Sequence, residues 1–298
     1  MKAGFVSFLG RPNAGKSTLL NRIVGQKLAI VSDKPQTTRT RVVGVKNYEG
    51  RGQVVFVDTP GVHKPTSRMN TRMVNLALDA MREVDVLCLV VDASVKSGPG
   101  DRYMLEVLKD VKTPVILALN KVDLIAKHRL LPIMDHYSKA HAFAELVPLS
   151  AADGTNVETL ERLFLQHVPE GEPLYPPDYL TDMPERFFAA EIIREQVLRL
   201  TRDELPHSTA VVIDKFDEPG ADGLISIYAT ILVDRESQKP IVVGKGGAMI
   251  KEIGTAARAE LMHHFESKVY LDLHVRVKAE WRNDDRLLDE LGIDRRAR

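Results

Sequence analysis

The sequence has little of what would fasten a fold covalently, anchor it in lipid or attract a polyanion in bulk. Among 298 residues there is one cysteine, Cys88, so no internal disulfide can form and a disulfide-built scaffold is excluded. Cys88 lies in the apolar run 84–91, where a buried thiol behaves as a small hydrophobe and not as a nucleophile. Charge of one sign is not in excess: 41 Lys and Arg offset 41 Asp and Glu, which leaves no overall field to recruit nucleic acid. No uninterrupted apolar run is long enough to span a bilayer. The short apolar run near the start leads into a glycine-containing loop and lacks a signal-peptide pattern. A cytoplasmic protein in a reducing environment is expected, with enough length for two globular domains.

What is present is an alternation of apolar runs and helical patterns over residues 1–168. The runs 5–9, 54–57, 86–91, 115–119 and 145–149 read as strands, and 16–24, 70–82, 101–110, 128–142 and 156–167 read as helices. Such alternation predicts an α/β domain with a mostly parallel sheet flanked by helices. Ligands in these folds collect at the carboxyl ends of the strands, and four of these runs end in a polar motif there. Prolines at 169, 173, 176 and 177 then exclude a helix or inner strand, which marks a linker at 169–180. A second, smaller α+β domain is expected over 181–280, with a helix at 185–203, strands at 210–216, 224–233 and 269–277, and a helix at 248–265. Residues 281–298 form a C-terminal tail whose basic end is expected to fray.

The first polar motif is Gly10-Arg11-Pro12-Asn13-Ala14-Gly15-Lys16-Ser17, a strand-to-helix phosphate loop. Gly10 and Gly15 let backbone N–H groups turn toward a phosphate chain, with Asn13 and Ala14 between them, and the helix that starts at Lys16 adds a favourable dipole. Lys16 is expected to reach the β- and γ-phosphates, Ser17 to bind Mg²⁺, and Thr18 to extend the cradle. The second motif is Asp58-Thr59-Pro60-Gly61. Asp58 can hold the metal and the Gly61 N–H can face the γ-phosphate, whereas the motif taken singly reads as a Pro-Gly turn with an exposed aspartate. The third is Asn120-Lys121-Val122-Asp123. Asp123 can accept from both the N1–H and the exocyclic amine of guanine, a pair adenine does not offer, while Asn120 reaches the base edge and ties the loop to the phosphate loop. The Lys121 stem can cover the ring. In Ser150-Ala151, small side chains let a backbone N–H approach the guanine O6. Between the first two motifs, the polar stretch 35–39 carries Thr37 and Thr38. Thr38 is the expected metal ligand and closes over Mg²⁺ when a γ-phosphate is present.

This ordered set resembles the translation-factor-related GTPases over residues 1–168. The resemblance implies GTP and GDP as ligands, Mg²⁺ as the metal, and hydrolysis in which Lys16, Thr38 and Gly61 act on the γ-phosphate. Many members place Gln after Asp-x-x-Gly to orient water; Val62 stands there and cannot hydrogen-bond, so slow intrinsic hydrolysis is expected. His63 is an alternative base, set against a plain surface histidine on a switch loop. Asn13 resembles the residue at this point in a K⁺-assisted class, in which K⁺ neutralises charge in place of an arginine.

In the second half, Val243-Gly244-Lys245-Gly246-Gly247 opens a helix. A Gly-x-x-Gly loop before a helix brings backbone N–H groups to a nucleic-acid backbone, with Lys245 and Lys251 placed for phosphates. Ile241, Val242, Val243, Ile250 and Ile253 are expected to floor a groove for bases. Residues 181–298 carry 18 Lys and Arg against 22 Asp and Glu, so RNA binding must be local. The order helix, strand, strand, loop-helix, strand resembles the type II KH domain.

A GTPase domain followed by a type II KH domain resembles a family of bacterial ribosome-assembly GTPases over nearly the full chain. The resemblance implies a monomer that binds near the 3′ end of 16S rRNA on the 30S subunit, with GTP state controlling binding and release. It also implies peripheral association with the inner membrane. Two other readings remain open at this point. One is a tRNA-modifying GTPase, whose C-terminal motif contains a cysteine that is missing here; the other is an RNA tether with a static nucleotide.

Overall fold

The structure is a computed structural model that describes residues 1–62, 65–202, 205–219 and 223–293. His63 and the basic terminus 294–298 lie outside the described residues.

The first half contains β1 (Lys2–Leu9), α1 (Lys16–Val24), β2 (Val42–Tyr48), β3 (Gly52–Asp58), α2 (Arg68–Ala80), β4 (Val86–Asp92), α3 (Pro99–Val107), β5 (Val115–Asn120), α4 (Leu130–Ala140), β6 (Glu145–Pro148) and α5 (Val157–His167). They build one sheet in the order β2-β3-β1-β4-β5-β6. All its pairings are parallel except β2 with β3. The order reverses direction at β1, so the loop after β1 opens into a crevice, the place where such sheets take ligands. Every residue of β3 and β4 is buried, as continuous apolar runs covered on both faces must be. Beneath the sheet, Phe8 and Phe56 stack at 5.7 Å and Phe164 of α5 packs edge-on to both. Cys88 is fully buried and burial pushes its thiol up, so it stays a neutral packing group.

Strand β2 is not foreseen by the apolar runs. Gly44 interrupts its pattern and Lys46-Asn47 follows, so its strand state depends on the antiparallel partner β3. It is an edge strand, and the stretch 169–180 covers that edge. Val45 N–H donates to Leu180 O at 2.8 Å, and Gln53 Oε1 accepts from the N–H groups of Leu174 and Tyr175. Apart from one bridge between Lys2 and Glu170, this stretch has neither helix nor strand.

The second half contains α6 (Glu185–Leu200), α7 (Leu205–Ser208), β7 (Thr209–Asp217), β8 (Leu224–Val233), α8 (Lys239–Val243), α9 (Ala248–Phe265), β9 (Lys268–Val277) and α10 (Asp285–Glu290). Its sheet has the order β7-β8-β9, antiparallel then parallel, and buried residues of α6 and α9 pack against it. Residues 241–243, an apolar β-branched run, belong to the helix α8. Pro240 begins that helix, Gly244 ends it at φ 75°, and burial of Val242 favours the turn over β-propensity.

Residues 281–293 are not a loose tail. Trp281, Leu287, Leu288 and Ile293 share a buried cluster with Met69 and Met73 of α2. Arg72 of α2 bonds Asp285 at 2.8 Å, Asp289 at 2.5 Å and the Ile293 carbonyl at 2.6 Å. Trp281 is wholly buried and donates Nε1–H to Ser208 O at 2.9 Å. Trp281→Ala is expected to cost about 3–5 kcal/mol through the cavity it leaves. Urea unfolding of the full chain followed by far-UV circular dichroism measures it, and an unchanged midpoint would contradict this packing.

Candidate functional site

The phosphate loop runs from the end of β1 into α1. Lys16, the first residue of α1, is 5% exposed and donates Nζ–H to Arg11 O at 3.1 Å and Gly10 O at 3.3 Å. Gly15 precedes it at φ 96°, and a Cβ there would collide with the Asn120 amide, so both backbone and packing demand glycine. No acidic residue occupies the first turn of α1, which leaves the positive helix end free for an anion. Pro12, Asn13, Gly15, Ser17, Thr18 and Lys121 line part of a cavity of about 320 Å³ at this point. Asn13 takes φ 63° and donates Nδ2–H to Asp33 O at 2.5 Å, so it holds the following loop and not the phosphate loop itself.

Three oxygens from separate elements meet beside Lys16. The Ser17 hydroxyl donates to Asp58 Oδ2 at 2.6 Å, and Thr38 Oγ1 lies 2.8 Å from Ser17 Oγ and 3.3 Å from Asp58 Oδ2. Thr37 points elsewhere, donating to Lys34 O at 2.7 Å. Asp58 is fully buried, and its Oδ1 has no hydrogen-bond partner. Burial pushes its carboxyl up, against the pull of the Lys16 ammonium and the Ser17 and Thr38 hydroxyls. Burial likewise lowers the Lys16 ammonium, with Asp58 opposing. An all-oxygen donor set with one orphaned buried carboxylate oxygen fits a hard divalent cation such as Mg²⁺. Gly61 passes so close to the phosphate loop that a Cβ would lie 2.6 Å from Pro12 N. Val62 is buried in the core, and its N–H donates to Gly10 O at 3.3 Å, so its side chain meets no water.

The base end is organised by Asn120. Its Nδ2–H donates to Ala14 O at 2.8 Å, and its Oδ1 accepts from Ala151 N–H at 2.9 Å. The expected tie between loops is therefore present. Ala151 N–H goes to Asn120 and Ser150 N–H to Thr155 O at 3.0 Å, so both residues brace the loop. Lys121 takes φ 66° and is held by Asp92 at 2.6 Å. Asp92 pays desolvation, yet bonds from Lys121 and Ser94 outweigh it and lower its carboxyl. Asp92 was not foreseen; its place at the end of the fully buried strand β4 is the signal that marks it. Asp123 is exposed in the turn Val122–Leu124.

In the second half, Lys245, Gly246 and Lys251 are exposed, with Gly244 and Gly247 partly covered, around the turn that opens α9. The expected groove floor is corrected. Val242 and Ile253 are fully buried, both within the hydrophobic core shared by α6, α9 and the sheet. The groove, about 480 Å³, is instead lined by Ile250, Lys251, Gly254, Arg258, Leu271 and Leu273 among others. Strand β9 thus supplies one wall, which alternation along 269–277 hints at but a linear reading around the glycine loop misses.

Because the Asp58 carboxyl is pushed up, protons compete with a metal for it above the ordinary carboxylate range. Mg²⁺-dependent GTP affinity is expected to weaken as pH falls toward the ordinary carboxylate range, and Asp58→Asn should lose that pH dependence. Fluorescent-nucleotide titration at each pH checks both; identical profiles would contradict the assignment.

Residues 5–121 match the sequence profile of a family described as 50S ribosome-binding GTPase, and residues 204–282 match that of the KH domain. The chain is 51% identical over 291 residues to GTPase Era of Geobacter metallireducens, covering 98% of this chain and 97% of that one. It is 50% identical to GTPase Era of Geotalea uraniireducens, with 98% of each covered. Among solved structures, Era in complex with MgGDPNP and nucleotides 1506–1542 of 16S ribosomal RNA superposes at TM-score 0.95 and 42% identity, covering 98% of this chain and 99% of that one. A variant of Aquifex aeolicus Era bound to GDP and AlF4⁻ superposes at TM-score 0.94 and 41% identity over the same shares. With half its residues shared over nearly the whole length, and both halves of the fold in common, the chain belongs to the Era family of GTPases.

Proposed function

We propose that this GTPase binds the 3′ region of 16S rRNA in the maturing 30S subunit and uses GTP hydrolysis to time its release. The reading draws on the Era relative seen with MgGDPNP and that RNA region. In this reading Lys16 and the loop Gly10–Ser17 hold the phosphates, Ser17, Thr38 and Asp58 hold Mg²⁺, and Asp123 selects guanine. Mg²⁺ when bound offsets charge on the β- and γ-phosphates. Gly61 N–H faces the γ-phosphate, and no side chain at position 62 orients water. Asn13 is the position from which K⁺ assistance is inferred. The glycine turn 244–247 with Lys245 and Lys251 takes the RNA backbone, and the groove beside β9 takes bases.

The observation that carries the coupling is the contact between the Thr38 segment and the RNA-binding half: Arg39 donates to Thr209 O at the start of β7 at 2.7 Å. A movement at Thr38 is therefore felt at the KH sheet. A cytoplasmic location accompanies this reading. Any inner-membrane association would be peripheral, since no helix among the described residues is long and apolar enough to cross a membrane.

A crossed experiment tests the assignment. Lys16→Ala is expected to lose GTP binding by at least about a hundredfold. Gly246→Asp, in a turn open to solvent at φ 60°, should weaken binding of a 16S 3′-end RNA by about tenfold or more while GTP hydrolysis without RNA stays unchanged. Equal RNA affinity in the Gly246 variant would remove this turn from the interface. For the cation, single-turnover hydrolysis should be faster in K⁺ than in Na⁺; equal rates would dismiss the role inferred for Asn13.

A further inference from the structure

Helix α6 carries three consecutive buried polar residues, Arg194, Glu195 and Gln196, at 2%, 0% and 5% exposure. Buried charge is tolerated only where it is matched, so each must have a specific partner. Two of them reach across to the GTPase half. Arg194 Nη2–H donates to the Thr37 carbonyl. Glu195 accepts from Val31 N–H at 2.8 Å and pairs with Lys27.

These contacts bracket Thr38. Residues 32–41 contain no helix or strand, so no ladder of their own holds them in place. On one side of Thr38, Thr37 O is bonded to Arg194; on the other, Arg39 donates to Thr209 O and lies 5.5 Å from the Trp281 ring centroid. The base of the segment is pinned at Val31 by Glu195. Arg194 is itself fixed by Glu191, which accepts from Nε at 2.7 Å and Nη2 at 2.6 Å. Its direction toward Thr37 O is thus set before any nucleotide binds.

We infer that Arg194 is a positioning residue for GTP hydrolysis: from the first helix of the RNA-binding half it fixes the Thr37 carbonyl and so holds the Thr38 hydroxyl against Ser17 and Asp58. The inference rests on the proposed role of Thr38 as a metal ligand. Arg194 touches neither the phosphate loop nor the base loop in any hydrogen bond described for it, so GDP binding does not depend on it. It follows that the KH half contributes a positioning contact to the site of hydrolysis through one carbonyl.

The test uses the full chain with Arg194→Lys, Arg194→Met, Thr38→Ala and the two double variants. Lysine keeps a cation beside Glu191 but lacks the planar fork that serves the carboxylate and Thr37 O together. Single-turnover GTP hydrolysis is expected to fall about tenfold or more in both Arg194 variants, while GDP affinity stays within about twofold. Combined with Thr38→Ala, either substitution should lower the rate no further than Thr38→Ala alone, since both act through the same hydroxyl. GDP affinity and the urea midpoint identify a misfolded variant; should Arg194→Met unfold, Arg194→Lys carries the test. Parental rates in both Arg194 variants, or losses that multiply in the doubles, would overturn the inference and leave the Thr38 reading intact. A parental rate in Thr38→Ala would overturn the Thr38 reading itself.

Discussion

Asn120 holds three loops in one frame. Its side chain joins the phosphate loop at Ala14 to the loop after β6 at Ala151, and its own backbone ends β5. That bridge ties the carboxyl ends of β1, β5 and β6 together, and a backbone bond from Val122 N–H to Leu149 O at 3.2 Å reinforces it between the last two. Gly15 is the complementary requirement, because the Asn120 amide occupies the space a Cβ would need. The phosphate and base ends of the nucleotide site are thus set relative to each other by one buried amide, which agrees with its 2% exposure.

On the opposite side of the phosphate loop the frame is deliberately weaker. The segment that carries Thr38 has no secondary structure and is held by contacts from elsewhere: Asn13 at Asp33, Arg194 at Thr37, and Arg39 toward β7. The helix that follows Asp-Thr-Pro-Gly, α2, is also in contact with the C-terminal half, through Met69, Met73 and Arg72 against residues 281–293. Both elements that respond to a γ-phosphate in GTPases therefore touch the RNA-binding half. Communication between the halves needs no long chain of intermediates, only a change in which of these contacts can form.

Much of the nucleotide site is legible in the linear order because its parts are backbone devices tied to strand ends. A glycine, a lysine and a hydroxyl at fixed spacing after an apolar run have few other uses. Thr38 could be favoured over Thr37 only by convention, whereas the hydrogen bonds separate them: one hydroxyl meets Ser17, the other its own turn at Lys34. The small pair Ser150-Ala151 marks the right loop, but its N–H groups are engaged inside the protein. The groove beside the glycine turn was misassigned for a related reason. Val242 and Ile253 are apolar and adjacent to the turn, yet the core of this half takes them in, and β9 supplies the wall from a distance in sequence.

By itself the sequence determined the phosphate loop, the Asn120-Lys121-Val122-Asp123 turn, the α/β alternation and the break at 169–180, because each follows from local backbone geometry or short-range periodicity. Tertiary structure alone decided the rest. Strand β2 exists because β3 pairs with it and the linker closes its edge. Residues 281–293 are ordered because α2 offers them an apolar face and Arg72. Arg194 reads as an ordinary surface arginine of a helix until α6 is packed against the segment 31–39. Burial and long-range hydrogen bonds are properties of what the chain folds against, and no local pattern encodes them.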